Sequence, residues 1–255
     1  MNILAIHAHP DDIEILAAGT LAQLAAAGHP VTIVTMSPGD CGSDNHSQEE
    51  IAAIRRGEAA RAAARIGAGY RCAEFRDMNI FSDDASRRRV TETLRQVAAE
   101  LVLTASPVDY LCDHEATSQL VRDACFAAIL PNYATGAPNA APPLGAIPHL
   151  YFMDPIGGVD REGRPVVPDF FVNVAAQMET KTAMLAEHAS QREWLLRHHG
   201  IDNYLETMKA WTRENGRRAG AEYAEGFRRY KGHPYPESPL LEELPGVSVI
   251  LPPHG

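Results

Sequence analysis

The stretch "ILAIHAHPDDIEILAAGT", Ile3 to Thr20, carries a short apolar run straight into two histidines, a proline and two adjacent aspartates before a helical pattern begins. Ile13, Leu16, Leu21 and Leu24 fall on one side of that helix, which ends near Gly28, and "VTIVTM", Val31 to Met36, is a second β-branched strand. Strand, helix and strand make a β-α-β unit, and the right-handed crossover rule makes its strands parallel neighbours. A purely structural junction needs only a cap and a turn. HAHPDD holds more polar groups than that.

The alternation continues outward from this unit. Ser37 to Ser47 is a Gly/Asp/Ser-rich loop, and "SQEEIAAIRRGEAARAAARIG" is a helix with Ser47 as its cap and Glu50 three positions on. An apolar segment at Tyr70 to Phe75, a helix over Asp84 to Glu100 and a strand over Leu101 to Thr104 follow. This rhythm predicts an α/β fold with a Rossmann-like, doubly wound, mostly parallel sheet flanked by helices. Past residue 130, "LPNYATGAPNAAPPLGAIP" reads as a long surface loop. Strands at His149 to Met153 and Phe170 to Val174 then precede a helix carrying "METKTAMLAEHASQREWLL" and another near Asp202 to Arg217. We expect one domain over residues 1–232. Residues 233–255 form a Pro-rich tail that is no domain of its own and packs on the chain's own surface or on a neighbour.

The 255 residues are 45% hydrophobic, normal for a soluble globular chain. A net charge of -10 opposes the phosphate attraction that anchors nucleic-acid binders, so small-molecule substrates fit better. Cys41, Cys72, Cys112 and Cys125 are scattered without a C-x-x-C pair, as in a reducing compartment. With no signal-type segment and no apolar run of about 18 residues, a cytoplasmic protein without membrane attachment is expected.

In open α/β sheets, sites collect at the carboxyl ends of strands, where the HAHPDD turn sits. It lacks the G-x-G-x-x-G of a dinucleotide fold, which argues against nicotinamide. Capping by Asp11 or Asp12, with Glu14 complementing the helix dipole, is the plain reading. It leaves His9 and the second aspartate unexplained. A divalent metal accounts for both, since His9 and Asp12, three positions apart, can turn inward together while Asp11 points elsewhere. A third ligand stands in "LVLTASPVDYLCDHEATSQLV": the strand ends in a Pro-containing loop and reaches Asp113-His114 before a helix, which brings His114 to the same sheet edge. Asp113 as a helix cap beside a surface histidine is the competing reading.

These residues carry a resemblance. The chain is similar to the LmbE-like, or PIG-L, family of zinc-dependent N-deacetylases, through the complete A-H-P-D-D-x-E at Ala8 to Glu14 and a partial H-x-D-H at Leu111 to His114. Arg55-x-x-Glu58, "HASQ" at His188 to Gln191 and "EYAEGF" at Glu222 to Phe227 extend the likeness. The resemblance implies one zinc ion, with other divalent first-row metals also compatible, held by His9, Asp12 and His114 with a position left open for water. It also implies Asp11 as general base, and Asp113 beside His114 as an orienting group. Its implied substrate is a small-molecule amide, an N-acetylated sugar, and the family often forms homo-oligomers.

The pattern breaks at Leu111, where the family has a histidine thought to stabilise the oxyanion or protonate the leaving amine. Losing one such donor costs about 2.7–4 kcal/mol of transition-state stabilisation. His188, in a family-like segment, is the leading substitute as a pocket-lining acid. Cys112 is a lesser one, and His7 is expected to face the opposite side of the strand from His9. Arg55 is either half of an exposed pair with Glu58 or a substrate-binding group at the pocket rim. Asp40 is a substrate-binding candidate or a turn residue. Tyr151, Trp194, Trp211 and Tyr223 are core residues by default and sugar-stacking surfaces otherwise. The leading expectation is a zinc-dependent deacetylase acting on an amino sugar or glucosaminide. The alternatives are an amidase for a bulkier sugar conjugate and a sugar- or metabolite-binding protein with impaired catalysis.

Overall fold

The computed structural model describes residues 1–199 and 203–251, with backbone alone at 198 and 199. β1 (Ile3–His7) leads through α1 (Asp12–Ala26) to β2 (Val31–Thr35), and α2 (Gln48–Ala64) leads to β3 (Gly69–Cys72). α3 (Asp84–Val97), β4 (Leu101–Thr104), α4 (Cys112–Ala127) and β5 (His149–Met153) complete the parallel part. The strand order is β3-β2-β1-β4-β5, with every neighbouring pair parallel. The chain therefore winds outward from β1 in one direction and from β4 in the other. The switch point between those two strands, at their carboxyl ends, is where HAHPDD and the loop before α4 come together.

Both faces of this sheet are covered, which is why its central strands read as continuous apolar runs rather than alternating ones. Ile3 and Ala5 of β1 pack with Ile13, Leu16 and Leu21 of α1 on one face; Leu4 and Ile6 pack with Val90, Leu94 and Leu120 of α3 and α4 on the other. The expected capping box of α2 is present, with Ser47 accepting from the Glu50 N–H and Glu50 accepting from the Ser47 N–H.

The second half departs from the expected rhythm. β6 (Phe170–Asn173), α5 (Met178–Ala186), α6 (Ala189–His199), α7 (Tyr204–Ala219) and β7 (Ala224–Arg229) follow, and β7 lies between β5 and β6, antiparallel to both. The single helix expected through "METKTAMLAEHASQREWLL" is two, interrupted at Glu187-His188. The expected start of the next helix at Asp202 lies outside the described residues. In the tail, α8 (Leu240–Glu243) buries Leu241, and β8 (Val249–Ile250) pairs with β6 of the same chain. No helix among the described residues is long and apolar enough to cross a membrane.

Candidate active site

β1 ends at His7, and the chain leaves the sheet through Ala8 to Asp11 before α1 starts at Asp12. Asp11 takes the N-cap position with φ 95°, a left-handed conformation costly for a residue with a Cβ, and its side chain makes no capping hydrogen bond. The turn thus frees Asp11 and Asp12 to point at different partners. Asp12 Oδ2 accepts the His9 N–H at 2.8 Å and lies 2.6 Å from His7 Nδ1. His9 Nδ1 and His114 Nε2 each stand 3.4 Å from the same oxygen.

The outer nitrogens of these two imidazoles also face carboxylates. His9 Nε2 is 3.2 Å from Asp113 Oδ2, and His114 Nδ1 is 3.0 Å from Asp109 Oδ1. An ionised carboxylate only accepts, so a hydrogen on each outer nitrogen faces its carboxylate, and the inner nitrogen of a neutral ring is then free to ligate a cation. Carboxylate–histidine pairs of this kind orient metal ligands. Burial opposes charge on both rings. The carboxylates of Asp113 and Asp12 nevertheless raise His9 to about 9, and those of Asp12 and Asp109 raise His114 to about 10. Asp12 goes the other way: burial alone would raise it, but His114 and His7 hold it well below the usual carboxylate range. Positive charge is what this pocket favours.

Ligand atoms about 2.0–2.1 Å from a tetrahedral zinc ion stand about 3.3–3.4 Å apart. The two 3.4 Å separations around Asp12 Oδ2 match that spacing, and both ring nitrogens of His114, Nε2 toward Asp12 among them, are buried without a hydrogen-bond partner. The donor set fits a cation. Among the described residues, two groups of three donors lie within 4.8 Å of one another: His7, Asp12 and His114, and Asp40, Cys41 and Asp77. In the second, Asp40 is occupied by Arg76 Nε at 3.1 Å and the Asp77 N–H at 2.8 Å.

Several expectations need correction. His7 does not face away: its ring is fully buried and meets His114 edge-on, with centroids 4.7 Å apart. Strand alternation stops at His7, so it cannot predict His9 relative to His7. His188 is buried 3.3 Å from Glu14 Oε1 and is not among the residues lining the cavity. Asp40 does not line it either, being tied to Arg76 and Asp77. Arg55 and Glu58 are buried and form no exposed pair. Glu58 accepts from the Ser190 N–H at 2.9 Å and from its hydroxyl at 2.6 Å, while Arg55 donates to Gln191 and the Gly42 carbonyl. Of the four aromatics, Tyr151 is core, Tyr223 meets Arg213, and Trp194 and Trp211 line the cavity.

The cavity encloses about 780 Å³ over Asp11 and Asp12. Arg55 enters it between Gly39 and Gly42, where a Cβ would stand 2.5 Å from a guanidinium nitrogen at either position. Tyr204, which sequence reasoning passed over, donates its hydroxyl to Asp11 Oδ2. Burial, and then the charge of Asp12, push the Asp11 carboxyl up to about 6 against the opposing pull of His188, Tyr204 and Arg55. Asp109 was equally missed, though a carboxylate five residues before His114 was a readable signal. Leu111 lines the cavity beside Tyr110, whose ring meets His114 edge-on at 5.4 Å.

Residues 4–125 match the family model described as PIG-L, GlcNAc-PI de-N-acetylase. That match spans just under half of the chain, from β1 through most of α4, and over it the chain is similar to the PIG-L family. It is 26% identical over 247 residues to a diacetylchitobiose deacetylase of Thermococcus kodakarensis, covering 91% of this chain and 84% of that protein. It is 27% identical over 198 residues to a 4-oxalmesaconate hydratase of Pseudomonas putida, covering 74% of each. The N,N'-diacetylchitobiose deacetylase structure from Pyrococcus horikoshii superposes with a TM-score of 0.76 at 25% identity, covering 93% of this chain and 86% of that one. The chain thus has deacetylases among the proteins it is similar to, and shares the mostly parallel, LmbE-like architecture of the solved one.

Proposed function

We propose that the protein is a zinc-dependent amide hydrolase that removes an N-acyl group, acetyl in the simplest case, from an amino sugar or glucosaminide. The observation that carries this reading is the pair of 3.4 Å separations from Asp12 Oδ2 to His9 Nδ1 and His114 Nε2, each ring backed by a carboxylate. His9, Asp12 and His114 hold the ion; His7, at hydrogen-bond distance from Asp12, positions that carboxylate. Bound zinc supplies an activated water and polarises the amide carbonyl.

Asp11 takes the water's proton as general base. Its carboxyl near 6 is ionised at neutral pH yet basic enough for the transfer, and the Tyr204 hydroxyl fixes its orientation. Arg55, fixed by Gln191 and cradled by two glycines, binds substrate hydroxyls or an anionic group at the cavity wall.

A second reading, addition of water to a double bond, draws support from Leu111. Hydration releases no amine, so it needs no proton donor for a leaving nitrogen, and one similar protein is a hydratase.

The deciding experiment is elemental mass spectrometry on wild type and His114→Ala purified side by side, followed by amine-release assays on N-acetyl sugars. About one zinc per wild-type chain, lost in the variant, together with released amine, is the expected result. No metal in wild type after zinc is offered and the excess removed overturns the reading. Zinc without amine release moves the assignment to hydration or binding.

A further inference from the structure

The cavity is larger and more apolar than an N-acetyl monosaccharide requires. Its volume of about 780 Å³ lies in the upper part of the roughly 300–1,000 Å³ found for pockets that hold drug-sized ligands. His9, Asp11, Asp12, Arg55 and Asp77 form its polar end. The rest of its wall is mainly apolar, with Ile15, Ile156, Trp194, Leu195, Met208 and Trp211 supplied by α1, α6, α7 and the turn after β5, and with Thr207 and Glu214 of α7 as polar members. This wall is a prepared one. The Trp211 ring is seated on Gly158, where a Cβ would come 2.2 Å from its Cη2, so only glycine leaves room for the indole. Trp194 and Trp211 are only partly buried, and covering their apolar faces with a ligand removes them from water.

Resting on the amide-hydrolase reading, we infer that the substrate is an amphiphile. Its amide and polar head sit at the Asp11–Arg55 end, and a bulky alkyl or aryl group lies in the trough between α6 and α7. A buried methylene contributes on the order of fourfold in affinity, so partial burial of a six-carbon chain gives at least about tenfold.

The test uses the full-length zinc-loaded protein and three substrates: N-acetylglucosamine, its hexyl β-glycoside, and N-hexanoylglucosamine. Amine release gives kcat/KM, and calorimetry with hexyl β-glucoside, which has no amide, gives binding apart from turnover. The expected result is a preference of about tenfold or more for one tailed substrate. The preferred substrate identifies whether the apolar group is on the amine-bearing or the acyl side. Saturable binding of hexyl β-glucoside, but not of glucose, should accompany it. Trp211→Ala should cut the tailed-to-plain ratio about fivefold or more, and Trp211→Phe should retain most of it. Equal turnover of all three substrates with no calorimetric binding overturns the inference and leaves the hydrolase reading intact. Saturable binding without turnover of any amide supports the trough and removes the hydrolase reading; neither binding nor turnover sinks both.

Discussion

Asp12 and Asp11 are adjacent in the chain and opposite in character. His7, His114 and the His9 N–H converge on Asp12 and keep it ionised, whereas Asp11 is buried next to that charge and is pushed up to about 6. With Asp11 as general base, and zinc beside it offsetting the Asp12 charge, kcat/KM should fall about tenfold per pH unit on an acid limb below about 6. Tyr204→Phe removes a hydrogen bond that favours the ionised form, so that acid limb should move to higher pH, by roughly half a unit to one. A pH–rate profile unchanged in Tyr204→Phe would separate the two residues. Asp11→Asn should keep its metal and lose about 10²–10⁴-fold in turnover, read from metal content and amine release together. Asp113→Asn weakens the orientation of His9, and zinc affinity by competition titration should fall about 10–100-fold.

At the scale of elements, the cavity's apolar wall depends on how α5 to α7 are attached to the sheet. Lys181 of α5 is fully buried, donates to the Ile15 carbonyl at 2.7 Å and meets Glu225 of β7 at 2.5 Å; Glu225 also accepts from the Gly19 and Thr20 N–H groups of α1. One ion pair therefore ties together α1, α5 and β7. Lys181→Met leaves the Glu225 charge buried without its partner and should cost about 3–5 kcal/mol in urea denaturation, while Lys181→Met with Glu225→Gln should recover part of that loss. The Glu58–Ser190 and Arg55–Gln191 contacts hold the start of α6 against α2. The family-like R-x-x-E and HASQ segments thus meet each other, a pairing invisible in the sequence because 132 residues separate Glu58 from Ser190.

For the whole molecule, binding and protonation are both readable as stability. Zinc at about 1,000 times its dissociation constant adds about 4 kcal/mol, or about 8–16 °C in Tm for a chain of this size, and EDTA should reverse it. His114→Ala should show no such response. Asp154, buried at the end of β5, is raised by burial to about 6 despite Arg218, Arg228 and Asn215. Its folded value lies above its unfolded one. Its stabilising contribution is therefore complete below about 3.8 and is lost as pH rises through about 6. Asp154→Asn should accordingly be more stable than wild type at pH 8, by about 3 kcal/mol, with the gap closing toward pH 4 in denaturant titrations.

Local pattern alone determined the parallel β-α-β half, because apolar strands and capped helices carry their periodicity in neighbouring residues. It also brought out the polar excess of HAHPDD and DH, since both follow strands whose carboxyl ends share one edge of the sheet. The antiparallel insertion of β7 between β5 and β6 was decided in three dimensions, where "AEGFRR" found partners on both sides despite its weak strand pattern. The same holds for His7 turning toward Asp12, His188 retreating behind the cavity to Glu14, and Tyr204 reaching Asp11 across 193 residues. Each depends on where a side chain finds a buried partner of complementary charge, and that is a property of packed elements rather than of spacing along the chain.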